Sequence, residues 1–140
     1  VIGWDLKAAN DGDAVDGDYG KGGFGGLQEL RGLNKPVIAA VHGNATGIGT
    51  TLLLHCDLVI AADSARFYTA FINLGLVPEA GSSLILPALL GRQNANRLLL
   101  AGDTLTADEA ERMGLVAYRC GDDELRDKAQ ALVGEYYPDV

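Results

Sequence analysis

Two short apolar runs, separated by a glycine turn and a helical segment, place the strongest constraint on the fold. Residues 37–41 (VIAAV) and 58–62 (LVIAA) are continuously apolar and contain β-branched side chains, which is typical of strands buried on both faces. Between them, residues 43–47 turn through two glycines into a helix that we predict over residues 48–56. Strand, glycine turn, helix and strand form a parallel βαβ unit with a right-handed crossover, so the sequence predicts an α/β fold.

The segments on either side of this unit continue the α/β pattern. Residues 10–26 (NDGDAVDGDYGKGGFGG) are acidic and glycine-rich, which predicts a long loop that serves either as a linker or as a functional lid. The other expected elements are a short helix over 27–34, helical structure over 87–101 with Gly102 as its C-cap, a helix that begins with a capping box between Thr106 and Glu109 and ends at Gly114, a strand over 115–119, and a final helix over 122–137.

Composition narrows the partners that such a domain can have. The chain has 140 residues, of which 48% are hydrophobic, and this is enough for one domain with a core. Its formal net charge of −8 opposes binding to nucleic acid or to an anionic membrane surface, and no apolar run approaches the ~20 residues of a membrane-spanning helix. Cys56 and Cys120 are too few for a disulfide framework, and together with His42 and His55 they show no metal-site spacing. We therefore expect no nucleic acid, no membrane and no metal as a partner.

The glycine turn of residues 47–52 (GIGTTL) follows a strand and begins a helix, as a phosphate-binding loop does. A dinucleotide-binding loop has a glycine where this chain has Leu52, and no suitable acidic residue ends the second strand. The turn would still direct the N–H of Ile48 outward from a helix end, where it can stabilise a developing oxyanion. The alternative is a turn whose glycines only let the helix and strand pack closely.

A second candidate site lies in residues 2–9 (IGWDLKAA). Gly3 permits an unusual backbone angle, so the N–H of Trp4 can point into a site, and Lys7 can meet a phosphate as a point charge. The alternative is an ordinary turn without a function.

Glu79 is the third candidate. It follows the apolar residues Leu74, Leu76 and Val77 and then Pro78, and small residues come after it. A carboxylate that is partly withdrawn from water in this way is a good proton shuttle near neutral pH. The alternative is a solvated turn glutamate.

Four motifs in order resemble the crotonase family, the enoyl-CoA hydratase/isomerase superfamily, over nearly the whole chain. Residues 3–9 (GWDLKAA) resemble the first oxyanion loop of the family, usually written AG-x-D-L. Residues 34–67 resemble its central stretch KPVIAAV-x-G-x-A-x-G-x-G, which is followed by CD and a further strand. Residues 75–91 (GLVPEAGSSLILPALLG) and 98–116 (LLLAGDTLTADEAERMGLV) resemble the two segments that follow. Because the spacing of all four is compatible, the resemblance is far more specific than any one glycine loop.

The resemblance implies a ClpP/crotonase-like spiral of ββα units and a coenzyme A thioester as substrate. Coenzyme A would then arrive as part of the acyl-CoA substrate, and no separate cofactor is implied. The backbone N–H groups of Trp4 and Ile48 would hold the thioester carbonyl oxygen, and Lys7 would approach the coenzyme A phosphates. Family members are usually trimers or dimers of trimers, so we expect a homotrimer or hexamer.

Two departures from the family pattern indicate which reaction to expect. Hydratases of the family have one glutamate in a G-G-G-x-E pattern and a second in an F-x-x-P-E pattern, and this chain has Thr51 and Phe71 at those positions. Neither side chain can move a proton. The chain instead resembles Δ3,Δ2-enoyl-CoA isomerases of the peroxisomal type, which have P-E followed by a small residue and serines and use that glutamate as their base. Glu79 matches this position.

These observations favour an acyl-CoA isomerase of fatty acid metabolism with Glu79 as its catalytic residue. A single carboxylate suffices to move a double bond from C3 to C2, because it can take a proton from C2 and return it at C4. One alternative is an enoyl-CoA hydratase or dehydratase that uses Glu79 with water; the start of the chain, which resembles carnitinyl-CoA dehydratase relatives, favours it. The other is an acyl-CoA-binding module without turnover. The residues expected to contact the substrate are Gly3, Asp5, Leu6, Lys7, Gly47, Phe71, Leu74 and Leu76.

Residues 1–140 match the core of the crotonase fold, without the N-terminal strands and the C-terminal helical region of family chains. We therefore expect a fragment of a longer fold. We expect a cytoplasmic location, with the peroxisome and the mitochondrion as alternatives.

Overall fold

Two small sheets, connected by short helices, make up the part of the chain that the structure describes. The computed structural model describes residues 23–139. The helices are α1 (Gly23–Arg31), α2 (Ile48–Thr51), α3 (Phe71–Leu74), α4 (Ser82–Leu90), α5 (Arg92–Leu99), α6 (Ala107–Met113) and α7 (Leu125–Tyr136). The strands are β1 (Ile38–Val41), β2 (Asn44–Thr46), β3 (Leu58–Ala62), β4 (Arg66–Tyr68), β5 (Leu105–Thr106) and β6 (Tyr118–Cys120). Short 3₁₀ helices cover Leu52–His55 and Asp122–Glu124.

The first sheet contains the βαβ unit that the sequence predicts. Strand β3 lies between β1 and β6, and both of its neighbours run parallel to it. Ile38 lies opposite Leu58, and Val41 lies opposite Ala61. Four of the five residues of β3 are buried, which confirms that its continuously apolar run is a strand covered on both faces. The same expectation is wrong for β1, where only Val41 is buried and Ala40 is exposed, because β1 lies at the edge of this sheet among the described residues.

The second sheet is built from the strands that follow those of the first. Strand β2 follows β1 in the chain, and β4 follows β3. Strands β2 and β4 are parallel to each other, whereas β5 runs antiparallel to β4. The two chain corners contact each other: the Arg66 N–H donates to the Gly43 carbonyl oxygen at 2.8 Å, and the Gly43 N–H donates to Ser64 Oγ at 3.3 Å. Successive strand–strand–helix units therefore stack as turns of a spiral, which confirms the crotonase-like fold that the resemblance implies.

The main core joins the second sheet to helices α4 and α5. Phe67 of β4, Leu86 of α4, Leu98 of α5 and Leu105 of β5 are all 0% exposed and belong to the same apolar cluster. Full burial of one such side chain contributes roughly 1.5–3 kcal/mol to folding. This cluster holds α4 at Leu86 and Leu90, and the short loop that contains Glu79 leads directly into that helix.

The predicted helical structure over 87–101 is two helices rather than one. Gly91 separates α4 from α5 with φ 78° and ψ 154°, a backbone conformation that is essentially restricted to glycine. Its N–H donates to the Pro87 carbonyl oxygen, and its own carbonyl accepts from the Ala95 N–H, so it ends one helix and begins the next. Helix α5 ends at Leu99, so the prediction of Gly102 as the C-cap is wrong.

Other boundaries also differ from the expectation. Helix α1 begins at Gly23, inside the predicted loop 10–26, and the rest of that loop lies outside the described residues. The predicted helix 48–56 is a four-residue α-helix followed by a 3₁₀ helix that ends at His55. The strand predicted over 115–119 is Tyr118–Cys120. The capping box of Thr106 and Glu109 is confirmed. No helix within residues 23–139 is long and apolar enough to cross a membrane.

Candidate active site

The site begins at the glycine turn before α2. Gly47 has φ 57° and ψ −120°, which a residue with a Cβ rarely adopts, and its N–H donates to the Tyr68 carbonyl oxygen at 2.8 Å. Its own carbonyl accepts the N–H groups of Thr50 and Thr51. Ile48 is therefore the first residue of the helix, where the N–H has no partner within the helix. The structure thus has the predicted turn and helix start, and the role of the Ile48 N–H as an oxyanion donor stays a prediction.

The two threonines that follow have different hydrogen-bond partners, although both are 0% exposed. The Thr50 hydroxyl donates to the Ala45 carbonyl oxygen at 2.6 Å and accepts the Tyr68 N–H at 3.2 Å, so it connects α2 to strands β2 and β4. The Thr51 hydroxyl instead donates to Glu79 Oε1 at 2.7 Å. Thr51 thus brings together two candidate positions that are 28 residues apart in the chain.

Glu79 lies in the loop between α3 and α4, and its carboxylate is turned toward the protein. Pro78, Glu79 and Ala80 are half-buried, while the preceding residues of the loop are exposed. The Glu79 carbonyl oxygen accepts the Ser82 N–H at 3.0 Å, at the start of α4. A glutamate in a fully solvated turn would have both carboxylate oxygens in water, and this one has Oε1 bound to Thr51.

A second contact holds the same loop one residue further on. His55 Nε2 lies 2.7 Å from the Ala80 carbonyl oxygen. Because a carbonyl oxygen only accepts, Nε2 carries the hydrogen in this contact. Ala80 has φ 54°, in the left-handed region that a side chain disfavours. His55 follows Thr51 by four residues, so one continuous helical stretch contacts both the Glu79 side chain and the Ala80 backbone.

Two buried polar atoms near the site have no hydrogen-bond partner among residues 23–139. They are Glu79 Oε2 and Ser82 Oγ. Buried polar atoms are nearly always paired, so an unpaired carboxylate oxygen next to a paired one is unusual and sets Glu79 apart from an ordinary turn residue. The site thus contains a carboxylate with one oxygen bonded to Thr51 and one buried oxygen that has no hydrogen-bond partner among residues 23–139.

The described residues include only part of the predicted set. Trp4, the other predicted oxyanion donor, lies outside them, as do Gly3, Asp5, Leu6 and Lys7. The apolar candidates divide into two groups. Phe71 is 4% exposed and belongs to the main core, whereas Leu74 and Leu76 are 48% and 58% exposed. The leucines are available at the surface beside the Glu79 loop, and the role of all three as walls for an acyl chain stays a prediction.

The thiol nearest to this helix is a poor candidate for nucleophilic chemistry. Burial raises the pKa of the Cys56 thiol, and the neighbouring Asp57 carboxylate raises this pKa further. The thiolate is the reactive form, so a raised pKa lowers reactivity at neutral pH. Within the described part of the chain, no three His, Cys, Asp or Glu side chains come together as ligands for a metal ion.

His55 and the hydrogen bond of Thr51 were both missed from the sequence. From the sequence, Thr51 is noted only because hydratases of the family have a glutamate at that position. His55 is noted only among the residues that lack the spacing of a metal site. One signal was available: both lie on the same predicted helix at a spacing of four residues, so they share the face that Thr51 presents to the site.

Solved structures with the same architecture are found among enoyl-CoA hydratases/isomerases. That of Pseudoalteromonas atlantica has a TM-score of 0.75 and 45% identity, covering 78% of this chain and 44% of that chain. That of Cupriavidus metallidurans has a TM-score of 0.76 and 36% identity, covering 91% of this chain and 49% of that chain.

Sequence comparison gives the same assignment. The carnitinyl-CoA dehydratase of Salmonella arizonae is 48% identical over 130 residues, which is 93% of this chain and 50% of that protein. The chain therefore spans about half the length of the curated relatives it matches. The family model described as enoyl-CoA hydratase/isomerase matches residues 1–137. The chain belongs to the enoyl-CoA hydratase/isomerase family.

Proposed function

We propose that the chain is part of an acyl-CoA isomerase, which moves a double bond from C3 to C2 of an enoyl-CoA with Glu79 as the only proton shuttle. One observation carries the proposal: Glu79 turns its carboxylate inward, where Oε1 is held by Thr51 and Oε2 is buried without a partner among residues 23–139. This supports the proposal, because the protein binds one oxygen of the carboxylate and leaves the other without a partner among these residues.

The reaction needs only one acid–base group. Glu79 Oε2 takes a proton from C2, which lies next to the thioester carbonyl, and the electron pair of that C–H bond moves onto the carbonyl oxygen as an enolate. The same carboxyl group returns the proton to C4, which bonds to it with the electron pair of the C3–C4 double bond. The enolate oxygen re-forms the carbonyl, and the electron pair between C1 and C2 becomes the new double bond between C2 and C3. No atom is gained or lost, and no water takes part.

The enolate oxygen needs fixed hydrogen-bond donors, because its negative charge is the main cost of the step. We assign this role to the backbone N–H groups of Ile48 and Trp4. Ile48 precedes Thr51 by three residues, which is ~4.5 Å along a helix axis. This short spacing along one helix supports the assignment of the Ile48 N–H and the Glu79 carboxylate to the same site. Loss of one such donor typically slows catalysis by ~10²–10³-fold.

The second candidate is a lyase that adds or removes water across the C2–C3 double bond. It is favoured by one finding, the 48% identity to a relative named carnitinyl-CoA dehydratase. Two positions weigh against it: Thr51 and Phe71 stand where the family's hydratases have their glutamates. Of positions 51, 71 and 79, only Glu79 carries a carboxylate that could manage the water or the C2 proton of a dehydratase.

The test compares two substrates on the full-length protein. We expect 3-enoyl-CoA to be converted to 2-enoyl-CoA, which is measured by the absorbance gained when the double bond becomes conjugated with the thioester. We expect 2-enoyl-CoA to be hydrated more slowly than this, which the loss of the same absorbance measures. Glu79→Gln keeps the size of the side chain and removes its basicity, so kcat for isomerisation should fall by roughly 10²–10⁴-fold.

A matched control makes the same chemical change elsewhere. Glu135 is exposed on α7, and Glu135→Gln should leave kcat unchanged. Full isomerase activity in Glu79→Gln would refute the proposal. Hydration that is faster than isomerisation would establish the lyase instead, and binding of acyl-CoA without turnover of either substrate would establish a binding module.

A further inference from the structure

The hydrogen bond between Thr51 and Glu79 makes the two oxygens of the carboxylate unequal. Oε1 accepts the Thr51 hydroxyl at 2.7 Å, and the Thr51 side chain is 0% exposed. Oε2 is also buried but has no partner in residues 23–139. A carboxylate on a flexible side chain can exchange its two oxygens by rotation, and a short bond to a buried hydroxyl prevents this exchange while it lasts.

The hydroxyl of Thr51 has no structural task within α2 that would explain its burial. The neighbouring Thr50 hydroxyl makes its bonds to the backbone of β2 and β4, at Ala45 and Tyr68, and so holds the helix on the sheet. For packing alone, an apolar residue of the same size would serve at position 51. It would also avoid the free-energy cost of burying a hydroxyl, which only a hydrogen-bond partner offsets. Its partner is Glu79, so the contact to Glu79 is what the hydroxyl supplies.

The backbone of the loop is fixed at the next residue. His55, one turn after Thr51 along the same helical stretch, donates Nε2–H to the Ala80 carbonyl oxygen at 2.7 Å. The loop is thus held at two adjacent points, the Glu79 side chain and the Ala80 backbone. Because His55 holds the loop backbone, the Glu79 carboxylate can still rotate about its side-chain bonds, and the hydrogen bond from Thr51 restricts that rotation.

From this geometry we propose that Thr51 is the positioning residue for Glu79: its hydroxyl fixes Oε1 and leaves Oε2 as the oxygen that transfers the proton. The inference rests on the proposed function, since it assigns a role within the same site. Thr51 itself transfers no proton to the substrate. It acts by keeping one oxygen of the base oriented through both proton-transfer steps, at C2 and at C4.

The test uses two substitutions at Thr51 in the full-length protein. Thr51→Val has nearly the same shape without the hydroxyl, and kcat for 3-enoyl-CoA isomerisation should fall by roughly 10–100-fold, as expected for the loss of a hydrogen bond to a charged group. KM should change by less than about 3-fold, because the base does not bind the coenzyme A part of the substrate. Thr51→Ser restores the hydroxyl and should recover kcat to within roughly 3-fold of the original chain.

A control separates positioning from a loss of stability. Thr69 is also 0% exposed, and its hydroxyl donates to the Leu98 carbonyl oxygen at 2.8 Å, away from Glu79. Thr69→Val should lower the melting temperature and leave kcat unchanged. If Thr51→Val does not fold, Thr51→Ala removes the same hydroxyl with a smaller side chain, and the same fall in kcat is expected.

The outcomes distinguish this inference from the proposed function. If Glu79→Gln is inactive while Thr51→Val or Thr51→Ala keeps the original kcat, the positioning role is refuted and the proposed function stands. If Thr51→Ser is as slow as the valine variant, the hydroxyl is not the active feature, and the inference is also refuted. If Glu79→Gln keeps full activity, the proposed function itself fails.

Discussion

The backbone at Ala80 gives a quantitative test of how tightly the loop of the candidate base is held. Ala80 has φ 54°, and Gly81 beside it has φ 71°. A residue with a Cβ in the left-handed region loses roughly 1–2 kcal/mol relative to the right-handed one. Glycine escapes this cost but loses about 0.5–1 kcal/mol more conformational entropy on folding. The two neighbours should therefore respond to Gly/Ala exchange with opposite signs.

The expected values follow from the difference between these two terms. Ala80→Gly should raise the free energy of unfolding by about 0.5–1 kcal/mol, and Gly81→Ala should lower it by about the same amount. A Cβ on Gly81 would come within 3.4 Å of Ile85 Cδ1, the end of a flexible side chain, so sterics add little. The two variants should differ by about 1–2 kcal/mol, which is roughly 3–8 °C in melting temperature for a domain of this size.

The assay is thermal or urea unfolding of the full-length protein and both variants at equal concentration. Equal protein concentration matters because an oligomer has a concentration-dependent midpoint. If Ala80→Gly is less stable than the original chain, or Gly81→Ala is more stable, then a Cβ in the left-handed backbone at these positions does not cost more free energy than the extra conformational entropy that glycine loses. A null difference between the two variants would refute the reasoning equally.

Two further predictions concern the scaffold. On helix α4, Leu86 is 0% exposed and Leu84 is 78% exposed, so Leu86→Ala should cost roughly 2–5 kcal/mol of unfolding free energy, whereas Leu84→Ala should change it by less than about 0.5 kcal/mol; equal effects would contradict the assigned core. Hydrogen bonding from the Thr106 N–H, and then from the Arg97 guanidinium, lowers the pKa of the Glu109 carboxyl below its usual 4.5. The ionised form therefore stabilises the fold above pH 4.5, and this stability is lost as the pH falls through the lowered pKa. In a series of melting temperatures from neutral pH to about pH 3, Glu109→Gln should be less stable at neutral pH and lose less on acidification, and parallel curves would contradict this assignment.

The sequence was informative where a residue's neighbours along the chain decide its structure. Strand β3 was predicted with its observed ends, because a continuous apolar run between polar turns leaves few alternatives. The capping box at Thr106 and Glu109 was predicted correctly for the same reason, since all of its bonds lie within four residues.

The sequence was less informative where distant contacts decide. Helical periodicity runs through Gly91 without interruption, and only the backbone conformation there shows that two helices meet. Nothing in the local sequence indicates that Thr51 reaches a carboxylate 28 residues away. The importance of Glu79 was inferred from the resemblance and from the lack of other acids at the expected positions, whereas its inward orientation required the structure.

The placement of Thr51 and Glu79 on separate elements has a consequence for how chemistry can change in such a protein. The helix that carries residue 51 is held on the strands by Gly47 and Thr50, and the loop that carries residue 79 is held by the start of α4 and by His55. None of these bonds uses the side chain of residue 51 or 79, so an exchange of those two side chains leaves the bonds that hold the helix and the loop in place. Substitutions at these two positions can therefore change the polar groups of the candidate site while the same hydrogen bonds continue to hold its backbone.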